Sequence, residues 1–231
     1  MSDLMPLEGW DHVELWVGNA KQAAFFYEHA LGFAPVAYAG PETGVRDRAS
    51  YVLEQGEIRL VLTSGLRAAS EICGFAARHG DGVRDVALRV PDAEAAYGLA
   101  LERGARAVAE PRMLEDEHGR VGLASIATYG DVVHTFVERA DYAGVHLPGY
   151  RPLSRNGAPR EGVGLVALDH VVGNVELGKM DEWVGFYERV LGFENIVHFT
   201  EDSIHTEYSA LMSKVMSDGE RKIKFPINEP A

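Results

Sequence analysis

The sequence contains a single cysteine, Cys73, and few basic residues, 22 against 35 acidic ones. One cysteine excludes an intramolecular disulfide framework and fits a reducing cytosol. The formal charge of −13 argues against nucleic acid or an anionic membrane as the main partner. Long apolar runs are also missing, since none approaches the roughly 20 residues that a membrane helix needs.

We expect no signal peptide either, because the first residues, MSDLMPLEGW, have neither a basic start nor an apolar core. The composition, 46% hydrophobic and 25% charged, is that of a globular protein, and 231 residues suit one large domain or two ordinary ones. We therefore expect a cytoplasmic protein that acts on small molecules.

The sequence does contain a repeat. Phe26–Phe33 (FYEHALGF) and Phe186–Phe193 (FYERVLGF) share six of eight residues, and an Asp-His pair precedes each, at Asp11-His12 and Asp169-His170. A weaker third copy spans Asp85–Ala105. Internal repetition of this kind indicates that one supersecondary unit is used several times.

Each copy predicts the same order of elements. An apolar strand comes first, a helix of about twelve residues follows, and two or three short strands come after it. Gly32, Gly104 and Gly192 lie where a left-handed helix C-cap is expected. The sequence thus predicts an α+β fold of three βαβββ modules.

We expect the modules to pair, because one helix covers only one face of a small sheet. Residues 1–142 then form one domain of two modules, at about 8–66 and 81–140. Ala143–Gly164 is rich in Gly and Pro and is interpreted as a linker, and residues 165–231 form a third, unpaired module. An unpaired module exposes a sheet edge and an apolar face, which predicts either self-association through this module or its partial disorder.

His170 lies in an apolar run that predicts a strand starting near Val166. Alternation places His170 on the same face as Leu168 and Val172. This pattern alone favours a packed core histidine over a metal ligand.

The stretch KIKFPINEP contains a proline within a strand pattern, Pro226, which indicates an edge strand or a bulge. Alternation puts one set of side chains under the helix and the other in the cup of the module, although a turn-forming role for Asn228 stays open. The apolar set is Ile223, Phe225 and Ile227, and the other set is Lys224, Pro226 and Asn228.

Repeated modules with a metal-ligand position in the first strand resemble the vicinal oxygen chelate superfamily. Within it, LDHVVGNVELGKMDEWVGFYERVLGF and KFPINEP resemble the 4-hydroxyphenylpyruvate dioxygenase family. SYVL, HGDGVRDVALRVPDA and ATYGDVVHTFVER extend the resemblance through the amino-terminal half.

The resemblance implies an Fe(II) cofactor held by two histidines and one carboxylate. It implies that His170 is the first ligand, and that Ser213, Pro226 and Asn228 lie beside the substrate. The substrate would be 4-hydroxyphenylpyruvate, a small aromatic α-keto acid, which reacts with dioxygen to give homogentisate in tyrosine catabolism.

The family has four modules, and the fourth supplies the second histidine and the glutamate. The sequence departs from the family here, so we expect a chain truncated after its third module and inactive by itself. Two alternatives stay open. One is a 4-hydroxymandelate synthase-like enzyme, which departs from the FPINEP motif, and the other is a non-catalytic binding or interaction protein.

Several other residues receive structural interpretations. His12 occupies the equivalent position in the first module and is interpreted as a relic of a ligand position or as a packing residue. Thr135, Phe136 and Val137 follow His134, so the first pair of modules lacks the carboxylate of an iron site. The remaining histidines are expected in solvent: His29, His79, His118, His146, His198 and His205.

Overall fold

The computed structural model describes residues 5–153, 162–199 and 211–230. Its amino-terminal elements are β1 (Gly9–Trp16), α1 (Ala20–Leu31), β2 (Ala34–Ala39), β3 (Arg48–Gln55), β4 (Ile58–Gly65), α2 (Glu71–His79), β5 (Gly82–Arg89), α3 (Ala93–Glu102), β6 (Ala107–Asp116), β7 (Gly119–Ala127), β8 (Val133–Glu138) and β9 (Arg151–Pro152). The later elements are β10 (Gly173–Asn174), α4 (Met180–Phe186), β11 (Glu194–Phe199), β12 (Leu211–Ser217) and β13 (Lys224–Pro230). A π-helical turn, Tyr187–Leu191, extends α4.

One strand order recurs three times. The nine-stranded sheet contains β1-β4-β3-β2 and β5-β8-β7-β6, joined by the antiparallel pairing of β1 with β5. The four-stranded sheet has the order β10-β13-β12-β11. In each set the first pair is parallel and the other pairs are antiparallel. The arrangement confirms the predicted α+β fold class.

Local signals fix the helix ends. The Asn19 side chain accepts a hydrogen bond from the Gln22 N–H at the start of α1, as an N-cap residue does. Gly32 ends α1 with φ 72°, and Gly192 ends the α4 segment with φ 75°, so these two of the three predicted left-handed C-caps are confirmed. Helix α3 ends instead at the C-cap Arg103, and Gly104 follows it with a positive φ of 90°.

Helix α2 was not predicted, although it carries recognisable start and stop signals. The Ser70 side chain accepts from the Cys73 N–H at its start, and Arg78 and His79 lie in its last turn. Phe75 anchors the helix, because its ring packs edge-on against Trp16 of β1 at 5.5 Å. The helix therefore covers the junction between the first two sets of strands. Among the described residues, no helix is long and apolar enough to cross a membrane.

The main core lies between the two sheets. Phe136 of β8, Tyr187 and Phe225 are fully buried in it, together with residues of α3 and α4. Ile223, Phe225 and Ile227 are all inaccessible to solvent, so the predicted apolar face of β13 is confirmed.

Helix α4 is fixed over this apolar face by polar contacts. The Glu229 carboxylate, on the same face as Phe225 and Ile227, accepts from the Met180 N–H at 2.7 Å and caps the helix. Lys214 of β12 donates to Asp181 in the first turn of α4. The other face of the four-stranded sheet consequently points away from the helix.

The predicted strand around His170 is wrong, because regular pairing begins only at Gly173. The preceding residues bond elsewhere. The Glu57 N–H donates to the Val166 carbonyl at 2.7 Å, and the Leu165 N–H donates to the Gln55 side chain at 3.1 Å. This segment is thus held by the β3–β4 turn of the larger sheet.

The edge position predicted for Pro226 is also wrong, since β13 lies between β10 and β12. The Val171 and Val175 N–H groups donate to the carbonyls of Lys224 and Asn228 on either side of Pro226. A proline can accept such bonds but has no N–H to return. It is tolerated because the neighbouring strand β10 has only two residues.

Candidate functional site

Both Asp-His pairs have the same local geometry. His12 Nδ1 lies 2.6 Å from Asp11 Oδ1, and His170 Nδ1 lies 2.6 Å from Asp169 Oδ2. A carboxylate bound at Nδ1 orients an imidazole and directs Nε2 toward a metal or a proton. Both histidines have the orientation that a metal ligand needs, so their surroundings decide their roles.

The Asp11–His12 pair is buried. His12 is 7% exposed, and the Asp11 side chain has no exposed surface. Arg139 Nη2 donates to Asp11 Oδ1 at 2.8 Å. Burial alone would raise the pKa of Asp11, but the hydrogen bond and charge of His12, and then those of Arg139, lower this pKa well below its usual range. Asp11 is therefore an ionised structural residue.

A segment from Tyr142 to Tyr150 covers this pair, and we call it the plug. Its His146 is 1% exposed and packs edge-on against His12, with ring centroids 5.1 Å apart. The Arg139 guanidinium donates to the His146 carbonyl. The prediction that His146 is solvated is wrong, because this residue is buried in the plug over His12.

The plug fills the concave face of the nine-stranded sheet. Tyr142 and Leu147 pack on a cluster of β5, β7 and β8 residues, and Val145 and Tyr150 pack on a cluster from β2, β3 and β4. Arg151–Pro152 then adds to the sheet beside β2. The first part of the predicted linker thus packs on the amino-terminal sheet and, at Arg151–Pro152, pairs with it. Residues 154–161 of the linker lie outside the described ranges.

Polar side chains lie on the same face of the sheet. The Thr63 hydroxyl donates to Glu14 Oε1 at 2.6 Å, and Ser50 lies 2.6 Å from Thr63. Asp85 accepts from the backbone and hydroxyl of Thr135, and burial raises the pKa of Asp85 to about 6. Across the described ranges, no three His, Cys, Asp or Glu residues are grouped so that they could hold a metal. The concave face of the nine-stranded sheet is therefore polar, but the plug covers it.

The face of the four-stranded sheet that points away from α4 carries three of the predicted site residues. Ser213 and Asn228 are direct cross-strand partners, and Val215 pairs with Pro226 one step along. Ser213 is buried and Asn228 is half-buried. The structure therefore brings Ser213, Pro226 and Asn228 together on one surface.

His170 lies toward the other end of this surface. Its carboxylate partner Asp169 forms an ion pair with Lys224 Nζ at 2.6 Å, and Lys224 precedes Asn228 by four residues on the same face. Four strand residues span about 13 Å. The His170 side chain is 48% exposed, in contrast to that of His12.

The described residues do not form a complete metal site here. His170 has the chemistry and orientation of one ligand, but no second or third ligand accompanies it among residues 5–153, 162–199 and 211–230. Sites for non-haem Fe(II) use two histidines and a carboxylate. The arrangement can contribute one imidazole and a polar wall, and His205 lies outside the described residues.

Sequence reasoning missed two sets of contacts. The burial of His146 and Tyr150 could have been suspected from the apolar neighbours Val145 and Leu147, which interrupt the Gly- and Pro-rich stretch. The burial of His134 between the sheets had no local signal. Its ring bonds to the Val86 carbonyl and to the Tyr187 hydroxyl.

These features define a protein with the vicinal oxygen chelate type of fold. Residues 2–146 match the family described as hydroxyphenylpyruvate dioxygenase, N-terminal, and residues 167–231 match the glyoxalase/bleomycin resistance protein/dioxygenase superfamily. Because the first match covers well over half of the sequence, the chain belongs to the hydroxyphenylpyruvate dioxygenase family.

Curated relatives agree with this assignment. The chain is 44% identical to 4-hydroxyphenylpyruvate dioxygenase from Yarrowia lipolytica and 45% identical to that from Dictyostelium discoideum. These alignments cover 96% and 97% of this chain but only 59% and 63% of the relatives. The chain thus spans about three fifths of the length of the relatives it matches.

Among solved structures, a mutant of 4-hydroxymandelate synthase from Streptomyces coelicolor superposes with a TM-score of 0.82 at 27% identity. The superposition covers 98% of this chain and 64% of the synthase. A fusion protein of a xylose isomerase-like TIM barrel and 4-hydroxyphenylpyruvate dioxygenase shares the fold, with a TM-score of 0.71 at 18% identity.

Proposed function

We propose that the chain provides the amino-terminal domain and the first catalytic module of an Fe(II)-dependent 4-hydroxyphenylpyruvate dioxygenase, which forms homogentisate from 4-hydroxyphenylpyruvate and dioxygen in the cytoplasm. The observation that carries the proposal is the open Asp169–His170 pair, on the same surface as Ser213 and Asn228, in a member of this family. The equivalent pair of the amino-terminal sheet is buried under the plug.

The residues of this chain have distinct roles in the proposal. Asp169 holds His170 Nδ1, so that Nε2 is directed to the metal. Ser213 and Asn228 offer uncharged polar groups that orient the phenol or the keto acid, and Pro226 shapes the wall beside them. Iron, when bound, supplies chelation of the keto acid and activation of dioxygen.

The packing of the plug refines the proposed domain boundary. We place the end of the first domain at Pro152 rather than at residue 142, because the plug packs on its sheet and β9 pairs with β2. The remaining linker residues lead to the module of residues 165–231. Exposed apolar side chains there, such as Val166 and Leu177, support the proposal that this module mediates self-association.

Metal binding by the purified chain tests the proposal. Since one imidazole binds iron weakly, we expect weak anaerobic Fe(II) binding in calorimetry that His170→Ala abolishes. His12→Ala is the matched control and should leave the binding unchanged. Equal iron affinity of the wild-type chain and His170→Ala would contradict the ligand role of His170.

Turnover provides the second arm of this test. We expect no oxygen uptake by residues 1–231 with Fe(II) and 4-hydroxyphenylpyruvate, because they supply a single ligand within the described ranges. Turnover by this chain would show that its residues complete the site.

A 4-hydroxymandelate synthase-like activity is the second candidate, and the structural likeness to the Streptomyces coelicolor synthase supports it. The FPINEP stretch favours the dioxygenase. The product decides between them, since an enzyme extended beyond this chain would release homogentisate in one case and 4-hydroxymandelate in the other. A purely non-catalytic binding protein would yield neither.

A further inference from the structure

His134 lies at the contact between the two sheets and has no exposed surface. Its Nδ1 is 2.9 Å from the Val86 carbonyl of the neighbouring strand β5. Its Nε2 is 2.9 Å from the hydroxyl of Tyr187, which belongs to the third module. The His134 imidazole thus forms hydrogen bonds both to the amino-terminal sheet and to the module that carries the candidate site.

The direction of these hydrogen bonds follows from their partners. The Val86 carbonyl can only accept, so His134 Nδ1 carries the hydrogen. Burial lowers the pKa of His134 to about 4, which keeps the ring neutral at pH 7 and leaves Nε2 as an acceptor. Tyr187 must therefore donate its hydroxyl hydrogen to His134.

The Tyr187 ring transmits this contact to strand β13. It stacks on Phe225 with ring centroids 4.9 Å apart, and Phe225 also contacts the rings of His134 at 5.0 Å and Trp10 at 5.3 Å. Tyr187 begins the π-helical turn, and such turns often occur at functional sites. Three aromatic rings therefore fix the position of Phe225.

We infer that His134 is a positioning residue, which fixes β13 through Tyr187 and Phe225 and so sets the location of Pro226 and Asn228. Side chains alternate along a strand, so the placement of Phe225 determines that of the next residue on the opposite face. The consequence for substrate binding rests on the proposed function, whereas the effect on β13 does not.

If His134 only filled space in the core, substitutions would have a different effect on strand β13. Removing one partner of a buried hydrogen bond is costly, but replacing both by apolar groups can be nearly neutral for stability. If His134 only filled the core, a doubly apolar variant would regain both stability and the local order of β13. If His134 positions β13, stability would recover but the local order would not.

Amide hydrogen exchange in the 231-residue chain separates these cases. The Val171 and Val175 amides donate to the β13 carbonyls of Lys224 and Asn228, so their exchange reports the position of β13. In Tyr187→Phe, we expect these two amides to exchange about tenfold faster relative to amides shared by β1 and β5. Tyr97→Phe, which alters another buried tyrosine of the same core, is the matched control and should leave the ratio unchanged.

Substitutions at His134 complete the test and avoid dependence on one variant. We expect His134→Gln to keep the wild-type exchange ratio, because the glutamine amide can donate to the Val86 carbonyl and accept from the Tyr187 hydroxyl. The double variant His134→Leu/Tyr187→Phe should have a higher urea midpoint than His134→Leu alone, because no Tyr187 hydroxyl is then left without its acceptor, but it should keep the faster exchange. An unchanged exchange ratio in Tyr187→Phe, or full recovery in the double variant, would overturn the inference.

The ring tautomer gives an independent readout. Nitrogen-15 NMR of labelled histidine should show the proton of His134 on Nδ1, and a proton on Nε2 would also overturn the inference. Neither readout needs iron, substrate or turnover. A negative result therefore rejects the positioning role without touching the proposed activity, and failure of the activity test leaves this result intact.

Discussion

The two Asp-His pairs share a sequence and a geometry but have opposite surroundings. Each histidine is held at Nδ1 by the preceding aspartate at 2.6 Å. His12 lies under the plug and is almost fully buried, whereas the side chain of His170 is about half exposed. The dipeptide therefore sets the orientation of the imidazole, while the segment packed over the sheet decides whether solvent can reach the imidazole.

The basic partners of the two aspartates differ in burial in the same way. Asp11 pairs with the largely buried Arg139 inside the closed cup. Asp169 pairs with Lys224 at an exposed position. A buried pair becomes destabilising when one member is removed, whereas exposed pairs contribute little. The first pair therefore has a structural role, and the second leaves the proposed ligand His170 exposed.

The largest expected effect comes from removing the buried aspartate. Asp11→Ala leaves the Arg139 charge buried without a partner, which should lower the free energy of unfolding by about 3–5 kcal/mol. Asp169→Ala, at the equivalent position of the third module, should leave it unchanged. Urea denaturation of both variants measures the difference, and equal destabilisation would break the comparison.

A smaller effect is expected in how Asp85 and Asp169 change the free energy of unfolding as the pH changes. Burial raises the pKa of Asp85 to about 6, and hydrogen bonds from Lys224 and then His170 lower that of Asp169. Folded Asp85 holds its proton more tightly than the unfolded chain, so its effect is to reduce stability as pH rises from about 4 to about 6. Asp85→Asn should thus raise the free energy of unfolding by about 1–3 kcal/mol at pH 8 and change it little at pH 4.

Asp169→Asn is the control for this pH dependence. The lowered pKa of Asp169 makes its contribution favourable above its unfolded pKa, so the substitution should not stabilise the protein at pH 8. Thermal unfolding at the two pH values measures both variants. A stabilisation by Asp85→Asn that is equal at pH 4 and pH 8 would show that ionisation of Asp85 is not its cause.

Features that depend on neighbouring residues could be predicted from the sequence. The C-caps at Gly32 and Gly192 and the alternation along β13 were predicted because backbone conformation and burial follow from adjacent side chains. The grouping of Ser213 with Asn228 came from resemblance and agrees with the strand register.

Features that depend on distant partners could not be predicted. The segment before Gly173 resembles a strand locally, but it forms hydrogen bonds with the turn after β3, which lies about 110 residues earlier in the sequence. The His134–Tyr187 contact joins positions 53 residues apart. The plug has no periodicity, and its side chains pack on two separate clusters of the sheet. These contacts arise from packing between elements, which a local pattern does not encode.

The chemical reactivity of the two histidines measures the difference in their accessibility. Carbethoxylation with diethylpyrocarbonate, followed by peptide mass spectrometry, gives the labelling rate of each imidazole, with the exposed His29 as the internal reference. We predict that His170 reacts at a rate close to that of His29 and that His12 reacts at least about tenfold more slowly. Tyr150→Ala, which removes an aromatic anchor of the plug, should accelerate labelling of His12 but not of His170. Equal rates for His12 and His170 in the wild-type chain would contradict the account.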